Sequence, residues 1–444
     1  MKVTCANGNG SVSVVADGGG VVGHVGALLL VELADRLGLT AGLSGAMADT
    51  RERRSPHDPG RVVRDLAVML ADGGDCLSDL GGLRDQGDLF GRVASDATAW
   101  RVIDSIDAEQ LEAIRAARAA ARERAWAAGA RPELVVVDID STLVTCRSGK
   151  EGAAATYKRS FGYHPILCCV GGEVLAGILR PGNAGASNAH DHIRVLEAGL
   201  AQLPAAVGEH ERPPPILVRA DTAGCTHDFL EALTPMGCVF SVGMPINERV
   251  RAAILAVSDS AWAPALRQDG AERDGAWVAE LDLDLRGWPQ GSRAICRRER
   301  PHPGAQLSFT DHDGHRFQVI LTDQAGEAVV LEARHRARAG VEDAIRAAKD
   351  TGLRNLPFRQ FAPNSAWMEL VLIAQDLVRW AQALLLTGQL CRCEPKRLRY
   401  RLLHVAGKIT RSARRTRLHI PRRWPWADAL LAAFTRLRAL PARG

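Results

Sequence analysis

Three carboxylates in this chain stand where a rigid scaffold could aim them at one point. Asp140 ends the apolar run Leu134–Ile139, within Asp138-Ile139-Asp140-Ser141-Thr142. Asp221 ends a second run, Pro215–Ala220, and Glu342 lies far downstream in a helix-prone stretch. Carboxylate oxygens are the hard ligands that Mg²⁺ prefers. Three of them converging can hold two Mg²⁺ about 4 Å apart, one activating water or a 3′-hydroxyl and one stabilising the leaving oxygen. Around Glu342 the spacing is His335, two residues, Arg338, three residues, Glu342, six residues, Lys349. On a helix turning about 100° per residue, the other three fall within about 60° of Arg338, on one stripe. One acid among three basic groups is a poor set to bury, and it suits a phosphate backbone beside a metal ion. Within this window alone, a solvated helix face carrying an ordinary Arg338–Glu342 pair would read the same way.

The order of elements gives these residues their positions. LVVVDI, HPILCCV and GEVLAGIL read as strands, the last two joined by Gly171 and Gly172. The helix SNAHDHIRVLEAGLAQL, with Ser187 as its expected cap, leads to the strand PILVRA that ends at Asp221. CVFSVGM adds another strand after the helix THDFLEALTP. Short strands (AWVAELDL, SRAICRRE, FQVILTD) then fill about 259–330. Residues 24–130 read as all-helical, with a helix-turn-helix-like pair in HVGALLLVELADRLGLTAGLSGAM and a long Ala/Arg helix before Gly129. The apolar stretch Trp367–Leu386 is broken by Glu369, Asp376 and Arg379, so a core helix is expected there, not a membrane span.

Charge is unevenly spread. Residues 391–444 carry 15 Lys and Arg against 2 acids, a net +13. Because the whole chain is +5, the other 390 residues carry −8. A basic, Arg-dominated end on a mildly acidic body points to a polyanion partner. RLLHVAGKITRSARRTRLHIPRRW mixes apolar residues with arginines at helical spacings, so it is expected to be folded and DNA-facing, with Arg411, Arg414, Arg415 and Arg417 as contacts. The ten cysteines show no zinc-ligand spacing, which suits thiols in a reducing cytoplasm, and no signal peptide is evident.

The strand-strand-strand-helix-strand order, with Asp, Asp and a helical Glu, resembles the RNase H-like fold of DDE transposases of bacterial insertion sequences. The likeness is to the DDE group 1 branch, which carries a strand-rich insertion between the second Asp and the Glu. That branch also carries the signature Tyr, two residues, Arg, three residues, Glu, six residues, Lys. Arg338, Glu342 and Lys349 match it, and His335 stands where Tyr is expected. The GYHPIL strand, the Arg219-Ala-Asp221 segment, the block running from Glu342 to Phe358 and the basic ending are similar too.

The resemblance implies an α/β protein with an RNase H-like catalytic core over 131–258 and 331–388, interrupted by a strand-rich insertion over 259–330. A helical DNA-binding region (1–130) precedes it, and a basic DNA-contact and dimerisation region (389–444) follows. It implies Mg²⁺-dependent cleavage at inverted-repeat ends and transfer of 3′-hydroxyls into target DNA, with Mn²⁺ able to substitute. Asp140, Asp221 and Glu342 would be the catalytic metal ligands. His335, Arg338 and Lys349 would lie along the DNA, and Asp138 would support the site without binding metal. Trp288, with Trp277 second, is the residue on which a flipped base would stack. A homodimer on double-stranded DNA, free of membrane and associated with the bacterial nucleoid, is expected.

Two other readings are open. Asp138-Ile139-Asp140-Ser141-Thr142-Leu143 also matches the first motif of haloacid dehalogenase-like phosphatases, with Asp138 as nucleophile and Asp140 as general acid. That reading leaves the Arg338/Glu342/Lys349 spacing and the basic ending without a role. The departure at His335 also allows a DNA-binding protein that has lost catalysis.

Overall fold

The computed structural model describes residues 2–4, 11–13, 15–51, 55–147, 149–204, 215–301, 304, 311–413 and 415–441. The N-terminal part is helical as expected. Ala27–Arg36 (α1) and Leu39–Ala46 (α2) are joined at Gly38, whose φ of 69° gives the left-handed turn between them. Pro59–Asp72 (α3) starts on an Asp58 cap with proline in its first turn and stops at Gly73. Ala108–Ala125 (α4) is opened by Asp107 and Gln110 as a reciprocal capping box.

After α4 the chain enters a nine-stranded mixed sheet. Val136–Ser141 (β1), Ile166–Val170 (β2) and Glu173–Ile178 (β3) form an antiparallel meander turning at Gly171 and Gly172. Ala189–Leu200 (α5) crosses over to Ile216–Ala220 (β4), and His227–Leu233 (α6) leads to Cys238–Met244 (β5). Both strands run parallel to β1. The cap of α5 is Asn188, one residue past the expected Ser187.

Ala263–Leu266 (β6), Glu272–Leu281 (β7), Arg293–Glu299 (β8) and Arg316–Thr322 (β9) follow. They extend the same sheet instead of forming a separate one, because β9 pairs antiparallel with β5. The spatial order is β6-β7-β8-β9-β5-β4-β1-β2-β3. The β6 edge is short, contains Pro264 and breaks register between Pro264 and Leu266. At the opposite edge, Arg118 donates to the carbonyls of Val174 and Leu175 on β3.

The single stripe expected over 335–349 is corrected. Helix Ala328–Arg336 (α7) ends in a 3₁₀ turn, Ala337–Ala339, before Gly340–Ala348 (α8) begins. A 3₁₀ turn advances about 120° per residue instead of 100°, so the regular helical spacing does not carry from His335 and Arg338 across to α8. Glu342 and Lys349 keep a common stripe. The buried face of α8 is Val341, Ala344, Ile345 and Ala348.

The long helix Phe361–Leu385 (α9) is the hub. It packs on α3, α1 and β3, and on the last helix, Ala427–Ala439 (α10). One apolar cluster runs from Leu30 and Leu66 through Trp367 and Trp380 to Leu430 and Leu437. The acids on α9 are buried and paired with arginines of α4. Asp376 Oδ2 accepts from Arg118 at 2.6 Å and Arg122 at 2.5 Å, and Glu369 accepts from Arg118 at 3.0 Å. Glu173 of β3 accepts from Arg122 at 2.9 Å and from the indoles of Trp126 and Trp380.

The basic ending is folded, but not by its helical spacing. Gly407–Ser412 and Arg415–His419 form a hairpin, with β-branched Ile409, Thr410 and Thr416 in its strands. No helix of the described residues is long and apolar enough to cross a membrane.

Candidate functional site

The last paired residues of the parallel strands β1 and β4 are Ile139 and Ala220. The next residue on each strand is Asp140 and Asp221, so parallel register alone sets the two carboxylates side by side. Asp221 opens the turn Thr222–Gly224 and accepts from Ala223 N at 3.0 Å. Gly243 on β5 leaves room for that turn. A Cβ there would lie 3.0 Å from Thr222 N and 3.3 Å from Asp221 C, and both atoms are backbone and slow to yield.

Asp140 accepts from Ser141 N at 2.8 Å and faces Arg338 at 3.1 Å. Burial pushes the Asp140 carboxyl up from the usual carboxylate range, the Asp221 charge pushes it further, and Arg338 only partly offsets both. Arg338 also donates to the Ile139 carbonyl at 3.1 Å.

Asp138 lies two residues back, on the same face of β1. Arg219 clamps both its oxygens, at 2.7 and 2.8 Å, and donates at 2.5 Å to the Arg334 carbonyl in the last turn of α7. The pair ties the sheet to the helix that carries His335. It also holds Asp138 buried against a guanidinium that draws on both its oxygens, which weighs against the dehalogenase-like reading.

His335 turns inward. Its Nδ1 is 2.9 Å from Ser241 Oγ on β5. Burial, with Arg338 and Arg219 nearby, pushes it down to about 3, so it is neutral near pH 7. It therefore lies beside the site as an uncharged hydrogen-bonding group, not as a cation. A pH effect follows. Below the ordinary histidine value of 6.5 the unfolded chain takes up a proton that the folded chain refuses, so stability falls as pH drops from 6.5 towards 3. The His335 share of that loss should reach about 2 kcal/mol at pH 5. Urea unfolding of wild type and His335→Gln at pH 7 and pH 5 checks it, and equal losses in the two proteins would refute it.

Glu342 is exposed in the first turn of α8, a helix that packs against β1, β2 and β3. The carboxylates of Asp140, Asp221 and Glu342 do not all lie within 4.8 Å of one another. Lys349, at the far end of α8, is half-buried, and burial with Arg354 and Lys158 nearby lowers its pKa. A cleft of about 510 Å³ opens beside the pair of aspartates, lined by Asp221, Thr222, Gly243, His335, Arg336 and Arg338.

Trp288 sits in the loop between β7 and β8, stacked on His227 with ring centroids 3.9 Å apart and planes 20° apart. His227 starts α6, just past Asp221, so Trp288 lies on the Asp221 side of the sheet. Trp277 is on β7 among Arg298, Arg300 and His315. Arg415 and Arg417 are exposed on the hairpin, Arg411 is paired with Asp88 at 2.6 Å, and Arg414 lies outside the described residues.

His164 is a neighbour of the paired aspartates that the spacing argument missed. It is buried, its Nε2 is 3.0 Å from Ser141 Oγ, and its Nδ1 is 3.1 Å from the Ala184 carbonyl. The only sequence signal for it was its place in GYHPIL, directly before a strand.

The family model described as transposase DDE domain group 1 matches residues 5–442. The chain belongs to this family. DDE transposase domains generally use divalent metal ions and act on DNA. No curated protein matches this DDE transposase in sequence. Among solved structures, it is similar to the piggyBac transposase of a cryo-EM synaptic complex with hairpin DNA. That similarity has 11% identity and a TM-score of 0.43, and covers 85% of this chain and 80% of that chain.

Whether a divalent metal suits these residues can be tested on the site itself. Asp140 and Asp221 offer hard oxygen donors side by side, and a cation between them would relieve both the burial that chiefly raises the Asp140 carboxyl and its repulsion by Asp221. The donor set fits.

Proposed function

We propose that this transposase cleaves double-stranded DNA at the inverted-repeat ends of an insertion sequence and transfers the resulting 3′-hydroxyls into target DNA. The observation that carries the proposal is the parallel register that pairs Asp140 with Asp221 at the carboxyl ends of β1 and β4, with Arg338 over Asp140. An RNase H-like core for β1 to β5 is supported by their spatial order 3-2-1-4-5, a meander followed by two parallel strands.

In this reading Asp140, Asp221 and Glu342 hold two Mg²⁺, or Mn²⁺ in their place. Bound there, the ions would activate the attacking water or hydroxyl and stabilise the leaving oxygen. Arg338 holds Asp140 in a fixed rotamer and offers a guanidinium to a phosphate oxygen. The Asp138–Arg219 pair keeps α7 docked on the sheet, and neutral His335 can present an N–H or a lone pair without adding charge. Lys349 follows Glu342 along the phosphate path, and Trp288 offers a ring to an unstacked base. Two ends cut in one assembly call for a homodimer on DNA, with residues 1–130 and 389–444 supplying end and backbone contacts.

The test is cleavage of a plasmid carrying the DNA that flanks this gene, with Mg²⁺ and with chelator, beside a phosphate-monoester assay on the same protein. Metal-dependent cuts confined to the element ends support the proposal. Phosphatase activity without DNA cutting would overturn it.

The basic ending makes a separate prediction. Deleting 391–444 would strip Leu398, Leu402, Leu430 and Leu437 from the core, so point variants are the cleaner probe. Arg415→Ala with Arg417→Ala should weaken DNA binding and lower the slope of log K against log salt by roughly 0.9 for each phosphate no longer neutralised. A slope unchanged in fluorescence-anisotropy titrations across salt would take these arginines off the DNA.

A further inference from the structure

Three side chains from distant parts of the chain meet far from the paired aspartates. His24 precedes α1, Asp72 is the last residue of α3, and His404 follows the turn Arg399–Leu403. His24 Nδ1 is 2.5 Å from Asp72 Oδ2, and His404 Nε2 is 3.2 Å from Asp72 Oδ1. One ligand atom from each residue lies within 4.8 Å of the other two.

A buried aspartate holding two histidines by hydrogen bonds would explain part of this. Two observations go further. Asp72 is 8% exposed, yet its Oδ1 has no aligned hydrogen-bond partner, because His404 Nε2 is directed at the Asp72 carbonyl, 2.8 Å away. A buried carboxylate oxygen whose one neighbouring donor is directed elsewhere is only weakly satisfied. His24 has φ 56°, a left-handed backbone that few residues other than glycine adopt, and its imidazole is thereby turned onto Asp72. The group opens onto a cleft of about 510 Å³, so a fourth position can be reached by water. The neighbouring cation, Arg399, spends its guanidinium on the carbonyls of Ala71 and Asp350.

We propose that His24, Asp72 and His404 bind one divalent transition-metal ion of the Zn²⁺ class, clamping the N-terminal segment and the C-terminal region onto the end of α3. Two imidazoles and one carboxylate form the borderline N/O set that Zn²⁺ and Co²⁺ favour over Mg²⁺. Three protein ligands with an open fourth position complete a common coordination pattern. The nearby group Asp75, Cys76 and Asp79 is a weaker candidate, because Asp79 Oδ2 already accepts from the backbone N–H groups of Asp75 and Cys76.

The experiment is a Co²⁺ titration of chelator-treated, full-length protein in excess Mg²⁺, which keeps the Asp140 site from competing. One equivalent should bind with a visible d–d band, be displaced by Zn²⁺, and raise the melting temperature. The band should vanish in His404→Gln and in His24→Gln, and persist in Asp221→Asn and Cys76→Ser. Circular dichroism checks that the histidine variants are folded. If they are not, X-ray absorption of the Zn²⁺-loaded wild type must show histidine scattering from two imidazoles. No uptake of Co²⁺ by the wild type, binding that survives both histidine variants, loss in Cys76→Ser, or absorption without imidazole would each overturn the proposal.

Discussion

Asp221→Asn is expected to lower metal-dependent DNA cleavage about a thousandfold, roughly 4 kcal/mol of barrier, while DNA affinity holds or rises slightly. The substitution keeps the side chain's size and its turn-capping oxygen, so Thr222–Gly224 stays formed. It removes one of the two charges that register sets together, and with it half of the paired donor set. Removing a negative charge near phosphates cannot weaken their attraction, which is why binding should hold. Cleavage and electrophoretic mobility measured on the same preparation decide the matter. Retained cutting would remove Asp221 from the metal site, and failure to bind DNA would make it structural. Glu342→Gln is the companion test. Glu342 is exposed, so neutralising it should leave stability unchanged. Normal cutting in that variant would limit the site to the two aspartates.

Asp376→Ala is expected to destabilise the fold by about 3–5 kcal/mol, because it removes the acceptor that two buried guanidiniums share and leaves the buried network, still holding Arg118 by Glu369 and Arg122 by Glu173, one negative charge short. Arg118 and Arg122 are 1% and 0% exposed, and both place a donor on Asp376 Oδ2. Water cannot reach them to compensate. Against a typical stability of about 5–15 kcal/mol, that loss should show as a large drop in denaturation midpoint and soluble yield. A midpoint shift worth under about 1 kcal/mol would mean that solvent enters the network once the acid is gone.

Much of the sheet was legible from residue pattern. β1 to β5 are short β-branched runs bounded by glycine, proline or a crossover helix, and Asp140 and Asp221 stand at their ends. The buried ion network was not legible. Arg118 and Arg122 are four apart on an Ala-rich helix, which locally describes a solvated face, and their acidic partners on α9 lie more than 250 residues away. The break at Ala337–Ala339 was hidden for a similar reason. Ala-Arg-Ala favours a continuous helix, and docking of Arg334 and His335 on β4 and β5 overrides that preference. In the basic ending, arginines at helical spacing concealed the alternation of Lys408-Ile409-Thr410, which a hairpin uses. His24, Asp72 and His404 share no local spacing at all, and only the folded chain brings them together.

The two margins of the nine-stranded sheet bear on how two copies can meet. At one margin Pro264 lacks an N–H and the register slips beside it. At the other, Arg118 occupies two carbonyls of β3. Neither margin offers a clean row of backbone groups to a second chain. In the proposed homodimer, these margins disfavour fusing the two sheets into one continuous ribbon. A contact between proposed partners made by side chains on helices, loops or the basic hairpin would be reversible and could be ordered by the DNA that bridges them.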